Sequence, residues 1–280
     1  MGAPEKISGK AEQPDRVESP FWKTVLLLWV LGFIGLILLS PYLLTLERKP
    51  LADVAQRMHL KVWQVLVLSN LQTLVLLAIA VIAGLWASRK VGLKMPLITS
   101  FLTGSPPPEK TGWTLLIGIA GGLAGAILLV LLDHFVFAPM PSVAKLIKAA
   151  GTGNGPPAWQ GFLASFYGAF DEEVLLRLGV MSLLALGFRS FARMLGAGHD
   201  SVLPLGVFWA ANIAAAVLFG LGHLPATAAL VHLSTALVIR AIVLNGAVGL
   251  IFGELFRRYG LEWAMISHFS VDLVAHVFLA

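Results

Sequence analysis

Seven residues have the types and the spacing to do chemistry, and they fall in three short stretches: Glu172, Glu173 and Arg177; Phe219 and His223; His268 and Asp272. Glu173 and Arg177 are four apart, in the Glu-before-Arg order that favours an ion pair on one helix face. Glu172 is turned about 100° from Glu173 on such a helix. The two glutamates therefore take different jobs: Glu173 pairs with Arg177, and Glu172 is left to face a cavity as a proton acceptor. His268 and Asp272 are also four apart, with His276 one turn further, and a carboxylate beside an imidazole can fix its tautomer and orientation. Phe219 and His223 share a face of a third helix. Amide hydrolysis needs a base for a water proton and a donor for the tetrahedral oxyanion. A glutamate with one histidine can supply the first, and another histidine the second. Each element also has a plainer reading: a structural clasp, a satisfied polar group at a helix end, interhelical glue. Asp171 reads as a solvated or hydrogen-bonded neighbour. Ser165 and Ser267 read as packing or backbone-bonding hydroxyls, and no Ser–Lys or Ser–His set is as convincing.

These side chains need elements that can carry them. The stretch Phe170–Arg177 puts three carboxylates and a guanidinium into what otherwise reads as a membrane-spanning helix. Each charge at mid-helix costs roughly 2.5–3.5 kcal/mol on insertion scales, so four cost on the order of 10 kcal/mol. Such a helix must be sheltered by others, and ionisable groups inside a membrane point to function. The rest of the chain fits that setting. It has 280 residues, 58% hydrophobic and 12% charged, against about 25% charged in soluble domains. Apolar runs long enough to span a bilayer recur. The expected fold is all-α: a polytopic transmembrane bundle of about 7–8 helices around a central polar cavity. The net charge of +5 comes from Lys and Arg between apolar runs, which suits anionic lipid and not nucleic acid. With no cysteine, disulfides, Cys-ligated zinc and a thiol nucleophile are excluded.

The chain divides into a polar, disordered tail, 1–20, and a single transmembrane domain, 21–280, with its motif-bearing core at 158–279. Helices are expected over 21–45, 62–87, 112–137, 158–188, 203–222, 240–256 and 262–279. The segment 51–61 reads as short and interfacial. The loop 88–111 contains Gly104-Ser105-Pro106-Pro107-Pro108, and 138–157 reads as a loop ending in a Gly/Pro-rich break. Arg240 and Asn245 argue against one span over 226–256, so 226–238 is expected to be a short re-entrant or interfacial helix. Gly118, Gly121, Gly122 and Gly125, and the pair Gly249 and Gly253, are small-residue faces for close helix packing. With seven spans, about 12 Lys and Arg lie on the N-terminal side and about 7 on the other, which favours a cytoplasmic N-terminus.

Glu172-Glu173-x-x-x-Arg177, Phe219-x-x-x-His223 and His268-x-x-x-Asp272, in that order on separate helices, resemble the three motifs of the CPBP family. These are the CAAX-protease and bacteriocin-processing membrane proteins, which include prenyl-protein endopeptidases. The stretch Gly249–Trp263 resembles the approach to the family's last motif, and the resemblance covers about 165–275. It implies a metal-independent, glutamate-dependent intramembrane endopeptidase of the CAAX type. By the same resemblance, Glu172 and His223 would activate the attacking water, and His268 and Asp272 would stabilise the oxyanion. An ionised Asp272 is an acceptor only, so it is expected to be protonated or to orient His268. Glu173, Arg177 and Phe219 would support the site.

The implied partners are a membrane-associated peptide or protein substrate and the lipid bilayer, without nucleic acid and without a cofactor. The implied location is a prokaryotic inner membrane. One alternative is a zinc protease using His223, His268 and a carboxylate, although no His-Glu-x-x-His helix is present. Others are a non-proteolytic scaffold, chaperone or bacteriocin-immunity relative, and a transporter with a carboxylate proton relay, for which no inverted repeat is visible.

Overall fold

Lipid offers no hydrogen bonds to a bare backbone, so apolar runs of this length fold as helices. The computed structural model describes residues 18–151, 155–196, 198 and 203–279, and all the regular structure among them is helical. Most of the expected tail, 1–17, lies outside the described residues. In order the helices are α1 (Phe21–Leu46), α2 (Arg48–Arg57), α3 (Val62–Val91), α4 (Pro96–Thr103), α5 (Thr111–Phe137), α6 (Pro141–Gly151), α7 (Ala158–Met194), α8 (Leu205–Gly222), α9 (Leu224–Leu230), α10 (Thr235–Arg258) and α11, which runs over Leu261–Leu273 and ends in a π-helical turn, Val274–Phe278. Among the described residues, six stretches are long and apolar enough to cross a membrane: α1, α3, α5, α7, Leu205–Leu230 and α10. Their outer faces carry exposed large apolar residues such as Phe33, Leu71, Ile79, Leu116 and Ile127, as lipid contact requires.

Three local assignments differ from expectation, each for a physical reason. The break before α10 falls at 231–234, and Arg240 and Asn245 lie inside one continuous helix. Arg240 is accommodated because Asp133, at the end of α5, binds it bidentately at 2.6 and 2.8 Å. The presumed loop 138–157 contains α6, an amphipathic helix that buries Val143 and Leu146 against Leu237 and Leu244 of α10. The presumed loop 88–111 contains α4, which starts at Pro96 where the missing N–H costs nothing. Its Ile98 N–H donates 2.8 Å to the Glu262 carboxylate, 164 positions away, supplying a cap that no local residue provides.

Glycine faces set which helices can meet. A side chain at Gly122 of α5 would strike the Ser267 backbone and Ser270, and Gly118 and Gly121 also lie against α11. This face draws α11 into the bundle, where Leu261–Met265, Ser267, His268, Ser270 and Val271 are buried. On α3, Gly84 lies against the Leu178 backbone of α7. α7 is thus enclosed by α1, α3, α8 and α11. It is the central helix, as its charges require.

Candidate active site

α7 changes its winding where the charges sit. From Gly168 to Met181 its backbone is π-helical, with i→i+5 hydrogen bonds; such segments are rare and recur at functional sites. The widened winding keeps Glu173 and Arg177 within reach of one another, Nε to carboxylate 3.4 Å. Both side chains are fully buried. The Arg177 nitrogens make no hydrogen bond among the described residues. Its guanidinium instead lies over the rings of Phe219 at 5.3 Å and Phe252 at 5.9 Å, a cation–π arrangement. Gly249 of α10 leaves the space, since a Cβ there would stand 2.9 Å from Nη2. Gly253, one turn on, faces Asn212 of α8, whose amide donates to the Leu250 carbonyl at 3.1 Å. The Gly249/Gly253 spacing therefore admits buried polar groups as well as a neighbouring helix.

His268 is the hub. Its Nδ1 lies 2.8 Å from Glu173 Oε1, so the ring donates Nδ1–H to that carboxylate and is held in one tautomer. Phe252 stacks on the ring at 4.6 Å, with 19° between planes, and Phe219 meets it edge-on at 5.7 Å. The other nitrogen, Nε2, points to Glu172 at 3.6 Å and Asp272 at 3.7 Å. Spacing paired Glu173 with Arg177 and left Glu172 to face a cavity. In the structure His268 lies between both glutamates, and Glu173 joins it to Arg177. Glu173 is the carboxylate at hydrogen-bond distance from the ring, while Asp272 stands 3.7 Å from its other nitrogen.

The rest of the constellation surrounds this hub. Glu172 and Asp272 keep 21% and 15% of their side-chain surface exposed, whereas Glu173 and Arg177 keep none. His223 stands where α8 ends, its Nδ1 2.9 Å from the Phe219 carbonyl. That bond satisfies a helix-terminal carbonyl and leaves Nε2 free to accept. Its ring meets Phe219 edge-on at 4.9 Å, and the imidazole is within Coulombic range of Asp272. Gly168 makes room on α7, since a Cβ there would collide with Asp272 Oδ2 and stand 3.0 Å from His268 Nε2. Phe252, Gly168 and Gly249 were not singled out as site residues. Phe252 and Gly249 sat inside the recognised Gly249–Trp263 stretch, and Gly168 lies four residues before Glu172. Asp171 is not solvated: it is fully buried and its carboxylate rests on Gly32 and Gly35 of α1.

Residues 154–274 match the family model described as type II CAAX prenyl endopeptidase Rce1-like. This part of the chain is similar to the Rce1-like family over 154–274. The match takes in α7 through most of α11 and every residue of the constellation. The match supports, in general terms, a CAAX-type membrane endopeptidase. Neither the curated proteins nor the solved structures gave a match. The Rce1-like segment supplies the acids, bases and rings of the site, while α1, α3 and α5 from the first half of the chain wall it in. Among the described residues, no three His, Asp or Glu side chains are disposed to hold a metal ion.

Proposed function

We propose that the chain is a metal-independent glutamic endopeptidase that cleaves a membrane-associated peptide or protein within a prokaryotic inner membrane, with its N-terminus in the cytoplasm. The observation that carries this reading is the pairing of a partly open Glu172 with His268 Nε2 at 3.6 Å, beside a His268 ring locked by Glu173. Glu172, assisted by His223 at the end of α8, takes a proton from water as the oxygen attacks the peptide carbonyl. When His268 carries a proton on each nitrogen, Nδ1–H stays with Glu173. Nε2–H then points between Glu172 and Asp272, toward a developing oxyanion. Asp272 joins that contact as a donor when protonated. Glu172 next passes its proton to the leaving amine as the C–N bond breaks, leaving a carboxylic acid and an amine.

The test compares membrane peptides that accumulate with wild-type and Glu172→Gln protein. Loss of a positioned acid–base group costs about 10²–10⁴-fold in rate, so cleavage should fall by that amount while the helical content is kept. Full proteolysis by Glu172→Gln would overturn the mechanism. Loss of wild-type activity on chelation, restored by zinc, would favour the metal alternative.

A further inference from the structure

His276 belongs to none of the three motifs, yet the structure builds a place for it beside Asp272. Its Nε2 lies 3.9 Å from Asp272 Oδ1, the same oxygen that faces His268 Nε2 at 3.7 Å. One carboxylate oxygen thus sits between two imidazoles, one helical turn to either side. The far nitrogen of His276, Nδ1, is 3.4 Å from the Tyr42 hydroxyl of α1, and the two rings meet edge-on at 5.6 Å. Tyr42 is in position because α1 continues helically through Pro41. Just before the proline, Ser40 Oγ donates back to the Leu36 carbonyl at 2.9 Å. A third helix takes part. Gly161 of α7 lies so close to the His276 backbone that any Cβ would strike its carbonyl. The last turn of α11, Val274–Phe278, is π-helical and carries His276 into this pocket.

We propose that His276, oriented by Tyr42, is a positioning residue for Asp272. This rests on the reading of Asp272 as part of the oxyanion contact. The Tyr42 O–H donates to Nδ1, which places the remaining ring proton on Nε2. Nε2–H faces Asp272 Oδ1 and holds the carboxyl in the rotamer that addresses His268, directly after a small shift or through one water. The arrangement mirrors the hold of Glu173 on His268, with the roles of acid and imidazole exchanged. His276 is also the more open of the two: its side chain is 41% exposed, against 5% for His268.

The difference in exposure supplies the test. In the full-length protein reconstituted in lipid, His276→Ala should lower kcat for a membrane-anchored peptide about tenfold, the lower end of what outer-partner substitutions cost, with KM unchanged. Added imidazole should restore most of the loss, because the vacated position opens outward; His268→Ala should gain nothing from it. Tyr42→Phe should give a smaller fall in kcat. Wild-type kcat in His276→Ala, alongside an inactive Glu172→Gln, would overturn the inference and leave the protease reading standing. Activity in Glu172→Gln would instead overturn that reading. A second measurement needs no turnover. With ¹⁵N-histidine label in a Glu172→Gln background, Asp272→Asn should move the His276 Nε2 resonance and Tyr42→Phe its Nδ1 resonance. If both resonances stay where they are, His276 is not held this way and the inference fails.

Discussion

Two glutamate–arginine arrangements, one on α7 and one on α10, live in opposite environments. Glu173 and Arg177 are fully buried, 3.4 Å apart, with the guanidinium lodged between two phenyl rings. Glu254 sits at the end of α10, where it binds Arg257 in a fork at 2.7 and 2.8 Å and also reaches Arg258. Those three side chains are 21%, 31% and 57% exposed. By hydrogen-bond geometry the outer cluster is the better made. By consequence the inner pair matters more, because neither member has water to fall back on. The inner pair also has a third member, since Glu173 spends its other oxygen on His268. The buried pair is therefore the floor of the site, and the exposed one ties down a helix end.

The sharpest way to break this contrast is Arg177→Ala. Removing one partner of a buried pair leaves an uncompensated charge and costs about 3–5 kcal/mol. Thermal unfolding in detergent should show a large loss of stability, and activity should fall with it as His268 loses its anchor. Replacing both partners, Glu173→Gln with Arg177→Met, should recover much of the stability, because apolar or neutral replacements of buried pairs are often tolerated. Activity should stay low, since the carboxylate that orients His268 is gone. If Arg177→Ala alone unfolds normally and cleaves normally, the inner pair is ornamental and the contrast collapses.

How much of this was legible in the sequence follows the range of the forces involved. The long apolar helices could be read because lipid imposes a simple rule on every backbone group. The Glu173–Arg177 pair could be read because both residues lie on one helix. The link from Glu173 to His268 spans 95 positions, and no local spacing encodes it. The π winding from Gly168 to Met181 was hidden for a similar reason: it arises from how α7 fits its neighbours, and the residues alone suggest ordinary helix. Arg240 rightly argued against one span over 226–256, but the break falls at 231–234, and its neutralising partner, Asp133, is 107 positions away and could not be read locally. α4 and α6 were hidden by flanking Pro and Gly, which mark a boundary without saying what lies inside it. The motif residues were placed on the right helices, but the division of labour between Glu172 and Glu173 needed the third helix to become visible.

A gentler probe keeps both charges and disturbs only the space around them. Gly249→Ala puts a methyl group 2.9 Å from Arg177 Nη2 and 3.4 Å from Phe219. The guanidinium cannot swing toward solvent, so the crowding falls on the rings or on the α8–α10 spacing. Overpacking of this kind costs about 1–3 kcal/mol. The expected outcome is a modest drop in thermal stability with a larger relative drop in kcat, because Phe219 contacts both His223 and His268. An unchanged kcat would show that the ring positions are not part of what the site needs.

The smallest effect belongs to the outer cluster, and it is the control that gives the others meaning. Glu254→Gln keeps the shape of the side chain and removes the charge that Arg257 and Arg258 share. Exposed pairs contribute about 0–1 kcal/mol, and a forked, two-arginine arrangement sits toward the upper end of that range. Arg257 has a second support, its guanidinium lying 5.2 Å from the centroid of Phe208, so it stays in place when the carboxylate is neutralised. Thermal stability should fall by less than about 1 kcal/mol, the effect should shrink further in high salt, and kcat should not change. A loss as large as that from Arg177→Ala would show that the end of α10 transmits to the site, and that burial is the wrong quantity by which to rank the two pairs.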